Sequence, residues 1–436
     1  MPKSPLLAVM LSLAALANLP AAEPAALNLE QALASVERVS LNVLLGREAA
    51  AQALETANQA RSANLPVINA SAQQRRSQGV SIATVVVTSG RPANRFDALI
   101  SGNYALYDPR LRAAADAARA GSEAAQATYN ATVQAVLADV ATAYFANLRN
   151  RRRLEVLDAN IKRANGILEL ARNQLSAGVA TQIDVTCAEA QLAIAEQARL
   201  QQVTTLVAGD LVLKRLLDFE PGRDLQLEDF EMRRGGAGLQ AFSEEKSLFE
   251  RRAEYLAAQR SLEQNRLSVK SAEYQRLPSL SLNGNLGLAA PRFDDGSKQE
   301  QWAFGVAVSV PIFDGLRTGA DRRIALSRQR AQEARLHALE LQISSELRLA
   351  LQDASSRNAQ VGVAEKTLGL AQEELRLARQ RYQQGVADNR EVLEAQTRLA
   401  EAGDNLVDAV FRPDGNAGHP GVTALDREVW HFKSKK

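Results

Sequence analysis

Cysteine is nearly absent: Cys187 is the only one in 436 residues, so no disulfide can form within the chain. The three histidines, His337, His419 and His431, are scattered, and with a single cysteine they give no metal-ligand spacing. Aromatic residues make up only 5%. With alanine abundant, that scarcity suits closely packed helices better than a bulky globular core. A formal charge of +2, in a chain with 23% charged residues, leaves no basic footprint for nucleic acid. The phosphate loop G-x-x-x-x-G-K-[ST], the dinucleotide turn G-x-G-x-x-G and the nucleophile elbow G-x-S-x-G are all missing. The sequence therefore nominates no catalytic residue, no cofactor and no metal ligand, and it reads as a non-enzyme. His337 falls on a helical pattern as a surface residue.

Proline is missing from two long stretches, between Pro109 and Pro221 and between Pro311 and Pro413. Proline in a helix interior costs about 3 kcal/mol, so these are the places where very long helices are permitted. Helices over 110–177 and 316–384 would each run about 100 Å at 1.5 Å per residue. Gly178 and Gly385 stand where a C-terminal glycine cap would end each one.

What fills those stretches is a duplication. Residues 154–195 align without a gap onto 361–402, an offset of 207. Leu154, Leu157, Ile161, Ala164, Leu168, Ala171 and Leu175 step by three and four, and Val361, Ala364, Leu368, Ala371, Leu375, Ala378 and Tyr382 take the same steps. Both series are coiled-coil seams. Each runs into a Gly-Val-Ala turn, Gly178-Val179-Ala180 and Gly385-Val386-Ala387, then an acidic-Val pair, Asp184-Val185 and Glu391-Val392. A second amphipathic run follows. The unit is a long helix, a glycine turn and a returning helix, present twice.

Ahead of each long helix the period changes to two. Trp302, Phe304, Val306, Val308, Val310 and Ile312 alternate with Ala303, Gly305, Ala307 and Ser309. Leu280, Leu282, Leu286 and Leu288 alternate with serine and asparagine, and Phe96, Ala98, Ile100, Tyr104 and Leu106 do so in the first half. A fourth, weaker strand follows Leu65-Pro66, matching Leu277-Pro278. The four are expected to pair as two hairpins across polar loops near 75–94 and 291–301. One face is apolar and the other small or polar, over a length of about ten residues that suits a tilted membrane-spanning strand. A soluble sheet with one buried face is the alternative, but an extended coiled coil offers no flat apolar surface for it to cover. Strands in lipid must close into a barrel. Four cannot enclose a useful bore, so a membrane reading requires several copies of the chain.

The two ends carry their own signals. Lys3, an apolar run over 6–19 and small residues at Ala21 and Ala22 read as an export signal over 1–22, too short to span a membrane as a helix. The expected division is then a first repeat over 23–218, with strands about 65–107 and helices about 110–218. A connection over 219–243 follows, then a second repeat over 244–410, with strands about 277–313 and helices about 316–410. Residues 411–436 form an atypical tail, because Pro413, Gly415, Gly418, Pro420 and Gly421 cannot continue the last helix.

The signal, the two hairpins, the paired long helices and the duplication together resemble the TolC family of outer-membrane efflux proteins. The closest carriers are the run Ala171-Arg172-Asn173-Gln174-Leu175-Ser176-Ala177-Gly178-Val179-Ala180 with Asp184-Val185, and Arg381-Tyr382-Gln383-Gln384-Gly385-Val386 with Glu391-Val392-Leu393-Glu394-Ala395. Arg276-Leu277-Pro278-Ser279-Leu280 and Val310-Pro311-Ile312-Phe313-Asp314-Gly315 resemble the family's strand entry and exit. The resemblance implies a mainly α, TolC-like fold in which three copies build a 12-stranded barrel on an α-helical periplasmic tunnel. It implies an outer-membrane exit duct for an efflux pump or a type I secretion system, with a periplasmic adaptor and an inner-membrane transporter as partners. Gly178, Val179, Ala180, Gly385, Val386 and Ala387 would then be the adaptor-docking tips, unless they are capping turns only. Asp184, Glu391 and Glu394 would be candidates for carboxylate rings at the pore constriction, although an acid just inside a helix start is also ordinary dipole complementarity. The alternative is a soluble periplasmic coiled-coil adaptor or scaffold, which would not need four alternating segments of membrane length.

Overall fold

A computed structural model describes residues 26–77, 92–228, 249, 252–386 and 389–411. The expected export signal, most of the 219–243 connection, Ala387 and nearly all of the 411–436 tail lie outside these residues. The described elements, in chain order, are β1 (Ala26–Leu27), α1 (Leu29–Val39), α2 (Leu41–Ser62), β2 (Val67–Ser77), β3 (Ala93–Tyr107), α3 (Pro109–Ser176), α4 (Gln182–Leu216), β4 (Gln226–Leu227), α5 (Ala253–Glu273), β5 (Ser279–Ala290), β6 (Gln299–Ser309), α6 (Arg317–Gln383) and α7 (Asn389–Phe411). The proline-free stretches are helical within about a residue of their expected ends, as helices of 68 and 67 residues. The chain divides into two compact units, one of 1–41, 135–241 and 346–436, the other of 42–134 and 242–345.

The second unit holds the sheet, four antiparallel strands in the order β2-β3-β5-β6. The two hairpins do more than form side by side: β3 pairs with β5, so they fuse into one sheet. The register stacks like on like across it. Trp302 faces Leu286, Leu286 faces Ile100 and Ile100 faces Ala70, while one residue on, Ala303, Asn285, Ser101 and Asn69 line up on the opposite face. Phe304, Gly284, Gly102 and Ile68 form the next row of the apolar face. A Cβ at Gly284 would come within 2.7 Å of the Phe304 ring, so only glycine lets that ring lie flat on its neighbour strand.

Two expected strand residues leave the pattern. A bulge between Ala105 and Tyr107 sets Tyr107 opposite Leu280, so Leu106 drops out of the alternation. Val310 and Ile312 lie past the end of β6, where Pro311 has no N–H to give the ladder. The chain then turns through Gly315 and Leu316 at φ +66° and +70° into α6. Asp314 caps that helix, accepting from the backbone N–H (2.8 Å) and the hydroxyl of Thr318. These two bonds hold its carboxyl below the usual range.

Two helices follow β1: α1, in the first unit, ends at the cap residue Ser40, and α2, almost wholly in the second unit, begins at Leu41. Asn28 and Gln31 form a reciprocal capping box at the start of α1. Leu29, Ala32, Leu33 and Val36 make its buried face. β1 and β4 form a short parallel ribbon. Tyr144 of α3, 1% exposed, ties that ribbon down: its hydroxyl donates to one of the Leu27 (3.1 Å) and Glu228 (2.7 Å) carbonyls, the two lying within reach of one donor. Arg151 donates to the Leu225 carbonyl beside it at 2.8 Å.

Candidate functional site

The tip belongs to the first unit and is built from both repeats at once. Leu168, Ala171, Val185 and Ala188 from the first repeat and their equivalents Leu375, Ala378, Val392 and Ala395 from the second all lie in one buried cluster. Alanine at the tightest positions lets four helices approach closely; Ala171 and Ala395 are fully buried. Tyr382 occupies the place of Leu175, and its buried hydroxyl has no hydrogen-bond partner among the described residues. Burial, with the Asp184 charge nearby, pushes that hydroxyl above its usual range.

Both turns end their helices in the same way. Gly178 has φ +77° and Gly385 φ +71°. The Val179 N–H donates to the Gln174 carbonyl and the Gly178 N–H to that of Leu175; Val386 and Gly385 repeat this on Arg381 and Tyr382. That is a Schellman cap, which needs a left-handed residue and hence glycine. Val179 and Val386, each 67% exposed, project beyond the caps. A Cβ at either glycine would meet no atom within 4 Å. Two amide bonds cross between the repeats here: Gln174 Nε2 donates to the Tyr382 carbonyl (3.0 Å) and Asn389 Nδ2 to that of Asp184 (2.8 Å). Sequence reading missed both. The one available signal was that Asn389 aligns with Gln182, an amide in each copy.

The three candidate pore acids are each engaged within the chain. Asp184 accepts from the Thr181 N–H (2.8 Å) and hydroxyl (2.7 Å), closing a capping box. Glu391 pairs with Arg381 at 2.7 Å across the second turn, and Glu394 with Arg390 at 2.9 Å along α7. All three stand within the first two turns of the returning helices, close above the tip. Glu394 is half exposed, and the pair it makes is a surface pair worth little to stability.

On the sheet, the apolar face is bare. Trp302, Phe304, Val306 and Val308 are 62–70% exposed, and Ile68 71%. Among the described residues β2 pairs only with β3 and β6 only with β5, so both edges are open. Strands of 11, 15, 12 and 11 residues match the length of a tilted membrane crossing. No described helix is long and apolar enough to cross a membrane.

The sequence profile of the outer membrane efflux protein family matches the chain twice, over residues 46–208 and 246–410. The chain belongs to that family. Among relatives, it is 24% identical over 303 residues to nodulation protein T of Rhizobium leguminosarum bv. trifolii, covering 68% of this chain and 64% of that one. It is 25% identical over 271 residues to the proteases secretion protein PrtF of Dickeya chrysanthemi, covering 60% and 58%. It is 27% identical over 308 residues to outer membrane protein OprJ of Pseudomonas aeruginosa, covering 66% and 60%. The chain thus spans less than two thirds of the length of each of these relatives. Its fold is that of solved channels of this kind: VceC of Vibrio cholerae (TM-score 0.80, 21% identity, 89% of this chain and 94% of that one) and CmeC of Campylobacter jejuni (TM-score 0.78, 17% identity, 92% and 88%).

Proposed function

We propose that this chain is the outer-membrane exit duct of a tripartite efflux pump or type I secretion system, a passive conduit that inner-membrane and periplasmic partners open. The observation that carries this reading is the sheet: one face is apolar row after row, the strands are of membrane length, and both edges are open. Backbone groups at an open edge cannot be left in lipid, so the sheet closes only by joining copies of itself. Four strands from each of three copies make twelve, above the eight of the smallest membrane barrels. The relatives point the same way, since their names include protease secretion and toluene efflux. Those names differ in cargo, and the cargo of this chain is set by its pump.

The Gly178-Val179-Ala180 and Gly385-Val386-Ala387 turns, of which Gly178, Val179, Gly385 and Val386 are exposed, are the surface we assign to a periplasmic adaptor. Open space at both glycines and a bare valine beside each would let a partner's apolar side chains approach the backbone. Asp184, Glu391 and Glu394 would form carboxylate rings near the tip once three copies assemble. Their present partners, Thr181, Arg381 and Arg390, are contacts that opening would have to exchange.

Fractionation of cells expressing the full chain tests the reading. Recovery in the outer membrane is expected, and recovery as a soluble periplasmic protein would overturn it. For the tips, V179E and V386E together are expected to abolish export while leaving the outer-membrane level of the chain unchanged. Unimpaired export by that variant would remove the docking assignment.

A further inference from the structure

Two arginines meet inside the first unit with no acid between them. α3 and α7 run antiparallel there: Arg153 pairs with Asp404 at 2.9 Å, and Arg149 lies 3.9 Å from Asp408. Val156 comes within 3.2 Å of where a Cβ on Gly403 would stand. One heptad further along α3, and one heptad back along α7, that contact becomes Arg163 against Gln396. The duplication brings in a third member. In the first copy Arg172 of α3 pairs with Glu189 of α4 at 2.7 Å, and the offset of 207 carries this pair onto Arg379 of α6 and Gln396 of α7. The second copy has therefore kept the arginine and lost the acid.

The bonding at this spot is incomplete. Arg163 Nε and Gln396 Oε1 are buried and have no hydrogen-bond partner among the described residues. Arg163 donates through Nη2 to Asn160, itself buried, which is neutral. Burial, and then the Arg379 charge, pull the Arg163 guanidinium below its usual range; burial does the same to Arg379. Each neighbouring acid of α6 and α7 is bonded elsewhere, Glu373 to Arg376, Glu374 to Arg398, Glu391 to Arg381 and Glu394 to Arg390. An arginine does not escape such repulsion by giving up its proton, so the missing negative charge has to be supplied.

We propose that Arg163, Arg379 and Gln396 form a binding site for a small oxyanion of the sulfate or phosphate kind. A guanidinium offers paired N–H groups at the spacing of two oxygens, and both arginines are half-buried, so solvent reaches them. The Gln396 amide, turned over, presents its NH2 to the anion in place of the orphaned oxygen. The ion would stand where the Glu189 carboxylate stands in the first repeat, and it would tie α3 to α6 and α7 about 10 Å along α7 from Asn389. The site lies within one chain, so it does not depend on the duct reading.

Equilibrium dialysis of the detergent-purified full chain against radiolabelled sulfate, in sodium chloride of fixed ionic strength, tests it. One sulfate per chain is expected, displaced by unlabelled phosphate. Q396E restores the first repeat's acid and is expected to weaken sulfate binding at least tenfold; R379Q is expected to do the same. No sulfate bound by the parent, or equal binding by Q396E, would overturn the proposal. Thermal unfolding separates the site from a general salt effect. In chloride alone Q396E is expected to unfold at a higher midpoint than the parent, because its new carboxylate meets two guanidiniums. A lower midpoint would mean a carboxylate buried without a partner, and would contradict the convergence of the two arginines on Gln396.

Discussion

At the scale of single residues, the repeat supplies its own controls. Tyr382 buries a hydroxyl where the first copy has Leu175, so the hydroxyl carries no structural duty that the fold requires. Tyr382→Phe is expected to leave unfolding free energy within about 1 kcal/mol of the parent, while Tyr382→Ala opens a cavity and is expected to cost about 3–5 kcal/mol; denaturant melts of the detergent-solubilised chain measure both. Because the folded-state pKa of this tyrosine is raised, its unfolded form ionises first. Stability from this group is therefore present below about pH 10, the ordinary tyrosine value, and falls above it. Tyr382→Phe is expected to remove that alkaline loss, and an identical pH profile in parent and variant would contradict the assignment. Gly178 and Gly385 behave differently, since nothing crowds them and only the backbone matters. Alanine at either is expected to cost about 1–2 kcal/mol through the left-handed φ alone.

At the scale of elements, the helices were legible and their contacts were not. Proline gaps and the glycine turns located α3, α4, α6 and α7 within about a residue, because a long helix is a local matter of propensity and breakers. The fusion of the hairpins through β3 and β5 was not readable, since strand partners distant in sequence leave no local mark. The bulge at Leu106 was hidden for the same reason. Ser40, which splits α1 from α2, carries no proline or glycine to announce it. Among the candidate site residues, sequence placed the Gly-Val turns; of the acids' partners, Thr181 and Arg390 stand at local capping-box and i,i+4 spacings, whereas Arg381 meets Glu391 only because the turn folds back. Tyr144 shows what such a hidden contact does. Tyr144→Phe removes the hydroxyl that holds the β1–β4 ribbon to α3 and is expected to cost about 1–3 kcal/mol. Hydrogen exchange should quicken at the Glu228 amide, which donates to the Leu27 carbonyl at 3.1 Å; unchanged protection there would show that the ribbon is held by other contacts.

At the scale of the whole molecule, the described residues of one chain leave surfaces unfinished: an apolar sheet face, two open sheet edges, and exposed apolar residues on α4 and α6. On the proposed reading, lipid covers the first and further copies of the chain cover the others. A charge in the middle of the apolar face should therefore act on insertion. Val306→Arg is expected to cost about 2–4 kcal/mol at mid-bilayer depth and to reduce the outer-membrane fraction, whereas a lysine at Ala307, on the opposite face, should be tolerated. Equal loss from both would mean that neither face meets lipid. The most direct test of the account is the mass of the complex extracted from outer membranes in mild detergent, measured by native mass spectrometry. Three copies of the chain in one particle are the expected result; a monomer that remains folded, with its sheet edges open, would contradict it.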